Sequence, residues 1–127
     1  MALDNSLIAR LGDDLYDALL SGRTVSNLRD RAAGITNEDS YRIQARMIER
    51  RLAAGETVVG KKIGVTSRGV QTMLGVFEPD FGILTSGMVY PDGATIPAGT
   101  LIQPKAEGEI AFVLKRDLIG PGVTAAD

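Results

Sequence analysis

Residues 45–67 read ARMIERRLAAGETVVGKKIGVTS, and the change of pattern at Gly55 decides the architecture. Up to Gly55 the apolar residues recur at helical spacing; beyond it they come in short runs cut by Gly and Pro, the pattern of strands and turns. Three of the fifteen glycines precede Gly55 and all five prolines follow it. Working back towards the N-terminus, Thr36 followed by Asp39 has the form of a capping box, and Tyr41, Ala45, Ile48 and Leu52 fall on one face of the helix that Gly55 stops. Earlier still, Leu7, Leu11, Leu15 and Leu19, widened by Ile8 and Leu20, give an amphipathic helix ending at Gly22. The charged residues of ARMIERRLAAGE lie mainly opposite the apolar stripe and read as a solvated face. Working forward, TVVGKKIGV, GMVY and EIAFVL have strand chemistry, RGVQTMLGV fits one short helix with Val70, Met73 and Leu74 together, and YPDGATIP makes a tight turn. The expected class is α+β, with a helical segment over 1–55 and the beginning of a β-rich domain over 56–127. The ending, KRDLIGPGVTAAD, has no closing element, and a sheet opened by these few strands would leave edges unpaired.

Composition narrows the chemistry. The chain has 127 residues, 44% of them hydrophobic and 24% charged, and a net charge of −2, the make-up of a globular protein. Lys and Arg are interspersed with Asp and Glu, so no basic patch invites nucleic acid. No apolar stretch approaches the roughly 20 residues that span a bilayer, and the start lacks the order of a secretory signal, so no membrane role and a cytoplasmic location are expected. With no Cys and no His, thiolates, His-based triads and the usual zinc ligands are excluded within these residues. Carboxylates, lysine, hydroxyls and backbone remain.

Three features carry that chemistry. In QPKAEGEIAFVL, strand alternation puts Glu107 and Glu109 on one face, about 6.6 Å apart, where two carboxylates repel by about 2.5 kcal/mol at an effective dielectric near 20. They are either solvated, as acidic residues mostly are, or bridged by a cation. A hard ion such as Mg²⁺ or Mn²⁺, which takes one or two carboxylates and keeps places for water and substrate, suits them. In VVGKKIGVTS, alternation turns Lys61 and Lys62 to opposite faces; the inward one either snorkels to solvent or orients an anionic substrate. In EPDFGILTSG, Pro79-Asp80 opens a turn that Gly82 permits, presenting Asp80 on a loop for proton transfer. The Asp-Phe-Gly triplet copies a kinase metal motif, but neither a phosphate loop nor a kinase catalytic loop accompanies it.

Taken in order, GKKIGVTS, EPDFGILTSGMVYPDG and LIQPKAEGEIAFVLKRDLIGPGVT resemble the 2-keto-4-pentenoate hydratases, or 2-hydroxypenta-2,4-dienoate hydratases, of the fumarylacetoacetate hydrolase superfamily. The resemblance covers nearly the whole chain. It implies a mixed β-rich fold, here truncated to its N-terminal half. It also implies a cytoplasmic homo-oligomer of the meta-cleavage degradation of aromatic compounds, adding water to a 2-hydroxydienoate to give 4-hydroxy-2-oxopentanoate. The family's acidic pair falls on Glu107 and Glu109, which with Mg²⁺ or Mn²⁺ and a third glutamate elsewhere would form the metal site; its catalytic lysine falls on Lys62 and its loop aspartate on Asp80. Decarboxylases of 4-oxalocrotonate share the lysine and the acidic pair but tend to lack that aspartate, so Asp80 and Gly108 favour a hydratase. A decarboxylase or other C–C bond enzyme, or a catalytically incomplete fragment, are the alternatives. The resemblance further implies contact with neighbouring pathway enzymes, a decarboxylase and the aldolase acting on 4-hydroxy-2-oxopentanoate. With two of three ligands, weak metal binding and little turnover are expected from these residues alone.

Overall fold

The computed structural model describes residues 2–124, so the last three residues of KRDLIGPGVTAAD lie outside the described part. The observed class is α+β: helices α1 (Asn5–Ser21), α2 (Leu28–Arg31) and α3 (Asn37–Ala53) precede strand β1 (Val58–Gly64), helix α4 (Arg68–Leu74) and strand β2 (Asp80–Thr85). The two strands pair antiparallel.

Both long helices begin and end where local chemistry dictates. Asp4 caps α1 by accepting from the Ser6 and Leu7 amides, and Gly22 closes it in the left-handed conformation (φ 66°). Thr36 and Asp39 form the expected capping box on α3. Asp39 is completely buried, because it also accepts from the Leu3 amide at 3.1 Å and from Arg42 at 2.9 Å. Burial pushes its carboxyl pKa up, and the hydrogen bonds from Thr36, Leu3 and Arg42 more than offset this and hold it below the ordinary range.

The core lies between α1 and α3. Ile8, Leu11, Ala32 and Ile43 are its centre, with Leu3, Leu7, Leu15, Leu28 and Ile35 packed around them. The stripe of α3 differs from its sequence reading: Asp39, Ile43, Ile48 and Arg51 are the buried positions, while Tyr41, Ala45 and Leu52 are exposed, as is Leu20 of α1. Ile48 is buried as expected, and the buried line runs through Ile43 and Ile48 between two polar anchors at the ends of α3, Asp39 and Arg51. The charged face is likewise only partly solvated. Arg46 donates to Asp13 through Nε at 2.9 Å and Nη2 at 3.2 Å, and Arg50 joins the same carboxylate at 2.9 Å. Arg50 also lies 4.7 Å from the centre of the Tyr16 ring. These bonds, that from Arg46 foremost, lower the Asp13 pKa.

After α3, TVVGKKIGV forms β1 as expected, and α4 occupies RGVQTML between its Ser67 cap and Gly75 (φ 68°). The turn in YPDGATIP is present, with the Ala94 amide bonded to the Pro91 carbonyl. Three expectations fail. DFGILT is a strand and not a loop. GMVY begins in a 3₁₀ turn (Ser86–Met88), because the Ser86 amide is already bonded to the Thr57 carbonyl and closes the hairpin there. EIAFVL joins no sheet, and Phe112 and Val113 are 84% and 98% exposed. Apolar alternation makes a strand only where a ladder partner and an apolar layer exist; among the described residues the sheet has two strands, β1 and β2, and EIAFVL does not pair with either.

The close approach of α1 to α3 depends on Gly12, where an added Cβ would stand 2.5 Å from the Arg46 Cβ and 2.9 Å from the Ile43 carbonyl oxygen. Helix propensity alone favours Gly12→Ala by about 1 kcal/mol, whereas overpacking costs typically 1–3 kcal/mol. We expect the packing term to win, so that urea unfolding followed by circular dichroism shows Gly12→Ala to be the less stable protein; a stabilised variant would mean that the helices separate freely.

Candidate active site

The hairpin brings two of the sequence-designated residues to one face. In its register Lys62 stands opposite Gly82, and Gly64 opposite Asp80. Each charged side chain therefore crosses a glycine of the facing strand. A Cβ on Gly82 would meet the Lys62 Cγ at 2.9 Å, and one on Gly64 would meet the Asp80 Oδ1 at 2.2 Å. Lys62 and Asp80 are thus diagonal neighbours, with Cα atoms about 7–8 Å apart in regular antiparallel geometry. Both are exposed, and among the described residues no ion pair engages either. An ammonium and a carboxylate so placed can grip an anionic group and exchange a proton within one small substrate.

Side chains from α3 hold this face in place. The Tyr41 hydroxyl accepts from the Phe81 amide at 3.2 Å, and the Gln44 amide donates to the Phe81 carbonyl at 3.3 Å, which satisfies the outer edge of β2 beside Asp80. At the far end, Glu56 accepts from Arg51 at 2.9 Å, from the Thr85 hydroxyl, and from the Gly87 amide at 3.3 Å. Thr85 is fully buried and Arg51 is 8% exposed. The Thr85 hydrogen bond first, then Arg51, hold the Glu56 carboxyl below its ordinary range against the cost of burial. The sequence alone does not single out this junction, since Arg51 stands in a run of arginines that reads as a solvated face. Its signal was a carboxylate placed between a helix stop and a strand, in Gly55-Glu56-Thr57.

Glu107 and Glu109 lie outside the hairpin, exposed and in no regular element. A Cβ on Gly108 would touch nothing within 4 Å. In kind the pair fits a hard divalent cation, which takes one or two carboxylates and completes its shell with water. Among the described residues, no three His, Cys, Asp or Glu side chains come together as a metal cluster. Thus the structure joins Lys62 to Asp80 and leaves the two glutamates apart from them in secondary structure. Asp80, expected on a loop, is instead the first residue of β2.

The class of protein comes from the comparisons with known proteins, which point to an enzyme. No family model matches the chain. It is 60% identical over 126 residues to a 2-hydroxypent-2,4-dienoate hydratase of Pseudomonas putida, and 55% identical over 126 residues to a 2-hydroxyhexa-2,4-dienoate hydratase of Comamonas testosteroni; each alignment takes in 98% of this chain. The chain spans about half the length of the curated relatives it matches, 57% and 48% for these two. Among solved structures, a 4-oxalocrotonate decarboxylase of Pseudomonas putida G7, complexed with magnesium and adipate, matches 79% of this chain and 38% of its own, with a TM-score of 0.75 and 27% identity. This chain is therefore similar, along almost all of its length, to about half of a 2-hydroxydienoate hydratase.

The Glu56 junction gives a pH test. Because its folded pKa is depressed, the carboxylate contributes stability that is fully present well above pH 4.5, its ordinary value, and that is lost as pH falls through the lower folded value. Removing one partner of such a buried bond costs about 1–3 kcal/mol. The thermal midpoint of Glu56→Gln should therefore lie below wild type at pH 7, and the gap should narrow as pH falls below about 4. An equal gap at pH 7 and pH 3 would show that the charge contributes nothing.

Proposed function

We propose that the natural full-length protein is a divalent-metal-dependent hydratase that adds water to 2-hydroxypenta-2,4-dienoate to give 4-hydroxy-2-oxopentanoate, within the meta-cleavage degradation of aromatic compounds. The observation that carries this reading is the shared face of Lys62 and Asp80, in a chain 60% identical to a hydratase of that substrate. The hydratase reading is preferred to a decarboxylase because the sequence similarity to hydratases is about twice that to the solved decarboxylase.

In this reading Glu107 and Glu109 hold Mg²⁺ or Mn²⁺ together with a ligand from outside these residues. When bound, the ion supplies Lewis acidity towards the substrate's carboxylate and 2-oxygen. Lys62 grips the anionic end and aligns the diene along the hairpin face. Ketonisation takes the proton from the 2-hydroxyl and places one on C5, which leaves the C3–C4 double bond conjugated to the new carbonyl. Water oxygen then adds at C4 and a proton is delivered to C3, so that one water is consumed overall. Asp80, exposed beside Lys62, exchanges protons with the substrate and the incoming water.

The same reading makes 56–127 the beginning of a β-rich catalytic domain, following a helical segment over 1–55. It takes the protein to be a cytoplasmic homo-oligomer whose product passes to an aldolase acting on 4-hydroxy-2-oxopentanoate, with a decarboxylase as a further pathway neighbour. It also accounts for Ile110–Leu114, whose exposed side chains would find their layer in the rest of the protein.

The test uses the full-length protein with Mg²⁺. It should consume 2-hydroxypenta-2,4-dienoate, and Lys62→Met and Glu107→Gln should each lower kcat/KM by at least 100-fold, the loss of about 2.7 kcal/mol of transition-state stabilisation. Carbon dioxide released from 4-oxalocrotonate, with no consumption of the dienoate, would establish the decarboxylase instead. A wild-type rate in Glu107→Gln would remove that glutamate from the metal site.

A further inference from the structure

Beside Asp80, on the side of β2 away from β1, a half-open groove of about 720 Å³ runs between α3 and the α4–β2 connection. One wall is α3, with Tyr41 and Gln44 fixed by their bonds to the Phe81 backbone. The other is the connection, which presents Leu74, Val76 and Phe77, all exposed to solvent, Phe77 by 82%. Val65 also lines the groove; it directly follows the Gly64 that the Asp80 carboxylate overlies. Asp80 is itself one of the residues lining the groove. Val65 is held at φ 55°, a conformation unfavourable for a β-branched residue, with its carbonyl accepting from Gln71 of α4 at 2.9 Å. That bond ties the mouth of the groove to the helix leading into its apolar wall.

The charge of the lining gives the groove a polarity. Among the described residues its carboxylates are Glu78 and Asp80, and no Lys or Arg lines it. An anionic group is repelled there, and the wall of Leu74, Val76 and Phe77, facing the polar wall of Asn37, Ser40 and Gln44, offers contact to an apolar one. The cation beside it is Lys62, on the hairpin face with Asp80. A ligand with a carboxylate at one end and a hydrocarbon at the other is thereby oriented, its anion at Lys62, its middle at Asp80 and its tail in the groove.

From this we infer that the groove is the subsite for the hydrocarbon end of the substrate, and that Leu74, Val76 and Phe77 set which chain lengths the enzyme favours. The inference rests on the hydratase reading and adds a specificity determinant to it. Apolar contacts discriminate modestly, roughly 10-fold or more per methylene, and that is the scale on which a pentadienoate and a hexadienoate differ.

The experiment measures kcat/KM of the natural full-length protein with Mg²⁺ on 2-hydroxypenta-2,4-dienoate and 2-hydroxyhexa-2,4-dienoate, for wild type, Leu74→Ala and Phe77→Ala. Both side chains are mostly exposed, so truncation leaves the fold intact, which circular dichroism checks. In each variant the ratio of hexadienoate to pentadienoate kcat/KM should change by about 5-fold or more. As a second readout, inhibition by saturated 2-oxo acids from five to eight carbons should tighten with length in wild type and flatten in the double variant. Ratios within 2-fold of wild type together with an unchanged length dependence would overturn the subsite while leaving the hydratase reading standing. Consumption of neither dienoate by wild type would overturn both.

Discussion

The arrangement of the site depends on one half-buried carboxylate. Glu56 receives the Arg51 guanidinium from the end of α3, the Thr85 hydroxyl from the end of β2 and the Gly87 amide just beyond. The Thr57 amide donates to the Ser86 hydroxyl alongside. A two-stranded sheet is marginal in water on its own. Here one end is tied to the helical pair by this junction and the outer edge by Tyr41 and Gln44, so the hairpin borrows its rigidity from α3. α3 in turn is held on α1 by the apolar contacts around Ile43 and by the pairing of Arg46 and Arg50 with Asp13.

What was legible in the sequence was what local chemistry decides. The Thr36/Asp39 capping box, the stops at Gly22 and Gly55, and the turn after Pro91 each rest on contacts within a few residues, and each is present. The stripe of α3 was legible only at Ile48, because burial at its two ends is fixed by Leu3, 36 residues before Asp39, and by Thr85, 34 residues beyond Arg51. Nor was β2. Pro79 and Gly82 read as a turn, yet Gly82 is a strand residue chosen for having no side chain where Lys62 must pass. A glycine required by a side chain twenty residues away has the same letter as a glycine required by a turn.

For the site, Lys62 and Asp80 were legible as residue types and through a family resemblance, while their juxtaposition required the register. For Glu107 and Glu109 the spacing predicts a shared face only if their stretch is a strand. Their strand was not formed by the described residues, since Ile110, Phe112 and Val113 have no layer to cover them. An apolar alternation records what a strand would bury, and says nothing about whether a partner is at hand.

The register also discriminates between the two adjacent lysines on physical grounds. The ladder starts from Val58 opposite Thr85, whose position the Glu56 junction fixes, and shifts by one residue between Val58 and Gly60. An extra residue of this kind is a bulge, which re-aims every side chain beyond it. Had the pairing run on unbroken, Lys61 would have crossed Gly82 and Lys62 would have stood against Phe81, with its amine on the face away from Asp80. With the shift, Lys61 lies opposite Ile83, beside the Ile63–Phe81 pair, and Lys62 shares a face with Asp80. The Glu56 carboxylate and the bulge therefore act together: the first sets the starting point of the ladder, the second its phase, and between them they decide which ammonium reaches the candidate site.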